Sequence, residues 1–486
     1  MAAVEVTDLR LEPERLWTHF LRLTTIPRPS REEGEARSHV LTWAQEHGWR
    51  ATTDVAGNAV VGVPATPGRE AAPTVVLQAH LDMVCERDPD SPYDPREGRI
   101  HVVRDGDWLL ADGTTLGADN GIGVAAAMAV AEDSTIAHGP LELLFTVCEE
   151  QGLEGAKGLE PSLVTGRTLV NLDGTSDGAL TVGCAGSAHA FARVALDRQP
   201  LEPGWHGMRV ELAGARGGHS GADIHRGRAN AIKALGRLLE RASAVVPLRL
   251  AALDGGVSRN AIPREAVALV SLGGDEHALR TAVADELAVL LREHAGTDDG
   301  LLAAVAPAPV VEAASTEVTS RALALLRGLP TGVVSFAPDH EDVVQTSTSV
   351  NVARTEDGVL TLASMTRSSS GTELEEVVSA IERQAAESGA DLEVVRSYPP
   401  WEPDLDAPLL TTARETYRRL FAAEPALEVV HGGLECAVLG AKLPGAQMIS
   451  IGPTILGPHA PGERLGISAT ERFYRLLGAL LDDLSR

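Results

Sequence analysis

Three short runs constrain this chain more than anything else in it: Thr74-Val-Val-Leu-Gln-Ala, Leu141 to Val147, and Thr168 to Leu172. Each is apolar almost without interruption, the pattern of a strand covered on both faces. Between the first two, Asn120 to Glu132 has the alanine-rich content of a packed helix. Covered strands alternating with helices predict an α/β layer fold.

Upstream, Leu11 to Thr25 predicts an amphipathic helix ended by Ile26-Pro27. Ser30 followed by Glu33 predicts a capping box for a second helix reaching His47, and Ala51 to Thr53 and Ala59 to Val63 have β character. From about Ser187 the pattern changes. Met208 to Leu212, Ala266 to Leu272 and Val359 to Met365 alternate like half-exposed strands, while Asn230 to Ala244, Glu276 to His294 and Thr372 to Ser388 predict amphipathic helices. Two halves, roughly 205 to 295 and 315 to 398, share a strand, helix, strand order. After the stiff connector Tyr398-Pro-Pro-Trp-Glu-Pro come a helix over Pro408 to Phe421, a strand over Gln447 to Ile451 and a last helix from about Ser468 to Leu484. This tail is expected to complete the first domain. The expected fold is therefore a discontinuous α/β domain with a central mixed sheet flanked by helices, residues 1–186 and 400–486, and an inserted α+β domain, residues 187–399.

A length of 486 residues agrees with more than one core, since about 150 residues per domain is usual. With 44% hydrophobic, 23% charged and 3% aromatic residues, the composition is that of a soluble globular protein with a core mostly of Ala, Val and Leu. The formal charge of -26 repels phosphate backbones and attracts cations, so nucleic-acid binding is not expected. The longest apolar stretch, Val124 to Ala131, falls far short of the ~20 residues a membrane helix needs. The acidic N-terminus shows no leader pattern, and a cytoplasmic location is expected. Cys85, Cys148, Cys184 and Cys436 show no CxxC spacing, which fits reduced thiols.

The chemistry concentrates where predicted strands end: His80-Leu81-Asp82, Glu149-Glu150, Asp173, and His459 beyond the last strand. Asp119, in Gly117-Ala-Asp-Asn-Gly, lies in a loop just before a helix. In open α/β sheets ligands sit outside the carboxyl ends of the strands, so these residues can converge although far apart in sequence. Imidazole and carboxylate without thiolate form the donor set of a catalytic zinc, manganese or cobalt centre. Two His and three acids suffice for two ions, with one carboxylate bridging them, and such pairs serve hydrolysis. Adjacent Glu149 and Glu150 divide into a free general base and a ligand, and Asp82 is placed to accept the second N–H of the His80 ring. Taken singly, each of these residues is also an ordinary loop or cap residue; the case rests on their coincidence.

The motifs Gln78-Ala-His-Leu-Asp-Met-Val, Gly117-Ala-Asp-Asn-Gly-Ile-Gly, Glu149-Glu-Gln-Gly, Asn171-Leu-Asp, Gly217-Gly-His-Ser-Gly-Ala-Asp-Ile-His, Arg259-Asn-Ala-Ile-Pro-Arg-Glu-Ala, Gly433-Leu-Glu-Cys and Ile451-Gly-Pro-Thr resemble those of the Xaa-His (aminoacyl-histidine) dipeptidases. These belong to the di-zinc peptidase superfamily of carnosinases and carboxypeptidase-G-like enzymes. The resemblance runs from the first helix to the last, with departures at Ala437, where glycine is expected, and at Ala460, where serine is expected. It implies a zinc-peptidase fold of the phosphorylase/hydrolase-like type with an inserted lid. His80 and Asp173 would serve one metal, Glu150 and His459 the other, with Asp119 bridging, Glu149 as base and Asp82 behind His80. His219 would polarise the scissile carbonyl. Asn260 and Arg367 would contact the substrate's free carboxylate, and Glu435 would also be a substrate contact.

The expectation is metal-dependent hydrolysis of small unblocked dipeptides, preferentially Xaa-His, by a hydroxide held on two divalent ions, zinc before manganese or cobalt. No nucleic-acid or membrane partner is expected, and a homodimer is compatible. The rivals are a broad-specificity dipeptidase, an aminoacylase or a carboxypeptidase, and, in another class, a metal-binding protein that has lost catalysis.

Overall fold

The structure is a computed structural model that describes residue 9, residues 11–338 and residues 340–486; the first residues, on which the expectation of no leader partly rests, lie outside it. Backbone contacts divide the chain into two compact units. The first comprises Met1–Cys184, Trp401–Val430 and Leu434–Arg486, and the second Ala185–Pro400 with His431–Gly433.

The first unit is built on an eight-stranded mixed sheet in the order Arg50–Thr53, Ala59–Val63, Leu141–Thr146, Val75–His80, Thr168–Asn171, Gln447–Ser450, Ala179–Cys184 and Ala426–Val430. The apolar runs that dominate the sequence lie side by side at its centre. Val75–His80 is parallel to both Leu141–Thr146 and Thr168–Asn171, and the latter is parallel to Gln447–Ser450. Every residue of Val75–His80 is buried, the pattern of a parallel strand covered on both faces. The helix Ala118–Glu132, buried from Asn120 to Val130, packs on this sheet. Parallel neighbours end on the same rim, so the segments that follow His80, Thr146, Asn171 and Ser450 emerge together.

A small four-stranded sheet fixes another part of that rim. Ile455–Leu456 pairs with Arg464–Gly466, which pairs with Trp108–Ala111, which pairs with Val102–Asp105. Residues 457–463, with His459, thus form the connection of a hairpin held at both feet.

The second unit carries one nine-stranded antiparallel sheet against helices. Leu302–Pro307, His206–Ala213, Ala266–Leu272 and Leu248–Gly255 follow one another across it, then His340–Glu356, Val359–Ser368, Gly186–Ala195 and Asp391–Tyr398, with Gly332–Ala337 beside His340–Glu356. The two groups of four mirror each other about the Gly255 and Ala353 pairing. Strand Gly186–Ala195 precedes both sequence halves yet completes the second group, so the segment 205–295 is threaded into the other half.

Two local expectations are corrected. The first helix is shorter than expected, Glu14–Leu23. The second, Gly34–Glu46, has Glu33 at its N-cap with no side-chain cap. Ser30 Oγ donates instead to Asp82 Oδ2 (2.7 Å), and Glu33 Oε1 accepts from Arg31 N and Cys148 N (2.8 Å each). Long-range polar partners outcompeted the local box. Among the described residues, no helix is long and apolar enough to cross a membrane.

Glu132, at the end of the helix Ala118–Glu132, ties the first helices to it. Its carboxylate accepts from Trp43 Nε1, lies 3.2 Å from His19 Nε2 and 3.6 Å from His47 Nε2. Burial raises its pKa, but the His19 and Trp43 hydrogen bonds outweigh that and hold it at about 2. A depressed carboxyl stabilises the fold fully above its unfolded pKa near 4.5 and loses that contribution as pH falls towards 2. Glu132→Gln is therefore expected to cost about 1–3 kcal/mol at pH 7. Urea midpoints of parent and variant should converge progressively as pH falls from about 4.5 towards 2; a gap independent of pH would contradict the assignment.

Candidate metal centre

The rim of the central parallel strands gathers the five residues proposed as ligands. His80 is the last residue of its strand, Glu149 and Glu150 follow Thr146, and Asp173 follows Asn171. Asp119 sits in the first turn of Ala118–Glu132, but its backbone (φ -79, ψ 110) and that of Asn120 are not helical, so the carboxylate is presented ahead of the regular helix. Gly117 makes this approach possible, since its φ of 70 is left-handed and a Cβ there would lie 2.5 Å from the Arg28 guanidinium. His459 is itself at φ 67, at the tip of the hairpin connection.

His80 Nε2 lies 3.0 Å from Asp119 Oδ1 and 3.5 Å from Asp173 Oδ1. His459 Nε2 lies 3.2 Å from Asp119 Oδ2 and 3.0 Å from Glu150 Oε1. Two groups of three potential ligand atoms result, His80 with Asp119 and Asp173, and Glu150 with Asp119 and His459, each within 4.8 Å. Asp119 belongs to both and turns one oxygen towards each imidazole. Glu149 groups with His80 and Glu150 within the same limit. The donor set fits two divalent ions: it is all nitrogen and oxygen, and Glu150 Oε1 is buried yet accepts no hydrogen bond of regular geometry.

The electrostatics follow from crowding acids at a partly buried rim. Burial pushes the Glu149 carboxyl well up, and Asp173, Glu150 and Glu435 add to it against the pull of His80. Asp173 is pushed up to about 7 by burial and by Asp119. Asp119 goes the other way: burial opposes ionisation, but the hydrogen bonds from His459 and His80 hold its carboxyl well below the usual range. The two imidazoles are raised despite burial, His80 by Asp173 and Asp119, and His459 to about 11 by Asp119 and Glu150. Asp82, fully buried, is held at about 2 because His80, Glu149 N–H and Ser30 outweigh its burial, so it acts as an acceptor only.

Further polar contacts hold the ligand-bearing segments together. Asp82 accepts from Glu149 N (3.0 Å), Glu150 N (3.2 Å) and Ser30 Oγ, which ties the His80 strand end to the Glu149-Glu150 turn. Its link to His80 differs from the expectation: the backbone oxygen of Asp82 is 3.1 Å from His80 Nδ1, and the carboxylate 3.4 Å. Asn120 Nδ2 donates to Asp173 Oδ1 (2.7 Å). Arg28, 1% exposed, donates to the carbonyl oxygens of Leu81 and Asp82 (3.0 Å each) and of Gly117 (2.5 Å). A lone arginine in a Pro-Arg-Pro-Ser segment gave no sign of this.

The second unit holds the other expected residues except Glu435. His219 Nδ1 accepts from Gly221 N and Ala222 N (3.2 and 3.0 Å). Arg367 is 6% exposed with Nε buried and unpartnered. A Cβ at Gly221 would lie 2.8 Å from His431 O, 3.1 Å from His219 and 3.2 Å from Arg367 Nε, so glycine lets the three approach. His431, not singled out from the sequence, faces Ser347 Oγ at 2.7 Å and is lowered to about 4 by burial, then by Arg367 and His219. Asn260 is exposed, its side chain accepting from Ser258 Oγ (2.6 Å). Glu435, in the first unit, is 0% exposed and accepts from Gln78 Nε2 (2.5 Å) and Thr146 Oγ1 (2.6 Å). It offers no surface to a substrate.

Sheet, rim and donor set are those of a metallopeptidase, and the chain belongs to peptidase family M20: residues 76–483 match Peptidase family M20/M25/M40. It is 37% identical to the cytosol non-specific dipeptidase of Escherichia coli (strain K12) over 477 residues, 98% of each chain. Its structure is similar to that of aminoacylhistidine dipeptidase from Vibrio alginolyticus, with a TM-score of 0.86, 36% identity and 97% of each chain covered. Human carnosine dipeptidase 1 shares the fold at 14% identity, with a TM-score of 0.51 over 97% of this chain and 96% of that one.

Because Asp119 faces both imidazoles, Asp119→Ala should abolish uptake of both ions, whereas His80→Ala and His459→Ala should each leave one. Metal counted per folded chain after dialysis tests this. Two retained ions in Asp119→Ala would refute the shared role.

Proposed function

We propose that this protein hydrolyses the peptide bond of small unblocked dipeptides, favouring those with C-terminal histidine, with two divalent metal ions, zinc first among them. The names of the Escherichia coli and Vibrio alginolyticus relatives support dipeptides as the class, and the second supports histidine. The observation that carries the reading is Asp119, one carboxylate with an oxygen on each of two imidazole-containing groups.

When bound, a metal pair polarises the scissile carbonyl and makes water a better nucleophile near neutral pH. His80 and Asp173 would hold one ion and Glu150 and His459 the other, with one oxygen of Asp119 available to each. Glu149 is left free of those two groups; its raised carboxyl takes the proton of the attacking water and hands it to the leaving amine. Asp82 keeps His80 in one orientation. Arg367, a planar guanidinium with an unpartnered donor, suits a carboxylate, and His219 and Asn260 complete the substrate contacts. The location assigned is the cytoplasm, as the name of the Escherichia coli relative has it.

Glu149→Gln should lower kcat by about 10²–10⁴-fold with two ions still bound; loss of metal would show that Glu149 is a ligand. Arg367→Lys should raise KM for dipeptides more than it lowers kcat, because Lys cannot form the two-pronged bond. Release of free amino acid from β-Ala-His, Leu-His, Leu-Gly and an N-acetyl amino acid measures the preference. Cleavage of the N-acetyl compound above the dipeptides would favour an aminoacylase.

A further inference from the structure

Glu463 lies four residues beyond His459, is 1% exposed, and carries no part in the reaction described above. Its carboxylate is spent on backbone. Oε2 accepts from Leu116 N (2.8 Å) and Gly117 N (3.0 Å), and Oε1 from Ala118 N (2.8 Å) and Asp119 N (3.4 Å). Four successive N–H groups thus converge on one side chain. Such a run of donors at a left-handed turn before a helix is an anion cradle, and here the protein fills it with its own carboxylate.

The same turn is gripped from the other side by Arg28, which takes the Gly117 carbonyl together with those of Leu81 and Asp82. The two buried charges therefore divide the work. Arg28 locks the Asp119 turn to the strand end bearing His80. Glu463 locks it to the hairpin connection bearing His459, a connection anchored at its feet, Ile455–Leu456 and Arg464–Gly466, by a 3.1 Å bond from Glu463 N to Ala460 O, and by the His459 ring against Asp119 and Glu150. His459 is 48% exposed, the least enclosed of the proposed ligands.

We infer that Glu463 is a positioning residue that sets the separation of Asp119 and His459, and so builds one half of the metal pair without touching either ion. The inference rests on the two-metal reading. A carboxylate is needed because only two equivalent oxygens can serve four donors. An amide has one oxygen, and its NH₂ would face two of the N–H groups and repel them. Loss of Glu463 frees the His459 loop from the turn, while Arg28 still holds the turn beside His80.

The test uses the full chain stripped of metal and reloaded with Co²⁺, followed by absorption spectra and by competition with a chelator. In Glu463→Gln one ion should bind as in the parent and the other about 10–100-fold more weakly, the usual cost of removing a group that orients a ligand. The remaining spectrum should match that of His459→Ala. Glu463→Asp keeps the charge on a shorter arm and should show the same selective loss to a lesser degree; it carries the test if the Gln variant does not fold. Both ions binding with parental affinity, or both weakened equally, overturns the inference. A parent chain that takes up fewer than two ions defeats the metal reading itself and is recognised before any variant is compared.

Discussion

Four carboxylates, Asp119, Glu149, Glu150 and Asp173, are brought to one rim of a buried sheet, and their mutual repulsion is the constraint on which the arrangement of this protein turns. Like charges in a low-dielectric setting are costly unless something opposes them. Two imidazoles oppose them here, one against each oxygen of Asp119, and divalent ions would do so more fully. The result is a division among chemically identical groups. Asp119 is held ionised, while Glu149 and Asp173 are pushed towards holding a proton. Neighbouring carboxyls of unlike proton affinity, set here by burial and by the two imidazoles, are what acid–base chemistry draws on.

Rigidity is the second requirement, because ligand atoms must sit within tenths of an ångström of their places. Strand ends supply part of it. The rest comes from buried charges aimed at backbone: Asp82 on the N–H groups of Glu149 and Glu150, Arg28 on three carbonyls, Glu463 on four N–H groups. These contacts join segments tens to hundreds of residues apart.

What could be read from the sequence divides along that line. The mixed α/β fold was legible because both-face burial writes itself as uninterrupted apolar runs; Val75–His80, Leu141–Thr146 and Thr168–Asn171 lie where those runs fall. The candidate ligands were legible because strand ends and a glycine turn flag them. The parts played by Arg28, Ser30, Asn120, His431 and Glu463 were not legible. Each acts through a long-range contact with backbone or a side chain, and a single buried Arg or Glu looks in sequence like any surface residue. The Ser30 and Glu33 pair illustrates the failure: its local spacing suits a cap, but Asp82 and Cys148 N are better partners once the chain is folded. Strands such as Ala179–Cys184 and Leu248–Gly255 also escaped, since small residues blur both the apolar run and the alternation.

The proposed role of Asp119 requires two ions close together in a nitrogen and oxygen environment. X-ray absorption at the zinc edge of the zinc-loaded chain tests it directly. The expected result is a first shell of N and O without sulfur and a zinc–zinc scattering path at about 3.5–4 Å. A sulfur shell, or a saturated sample with no metal–metal path, would contradict it.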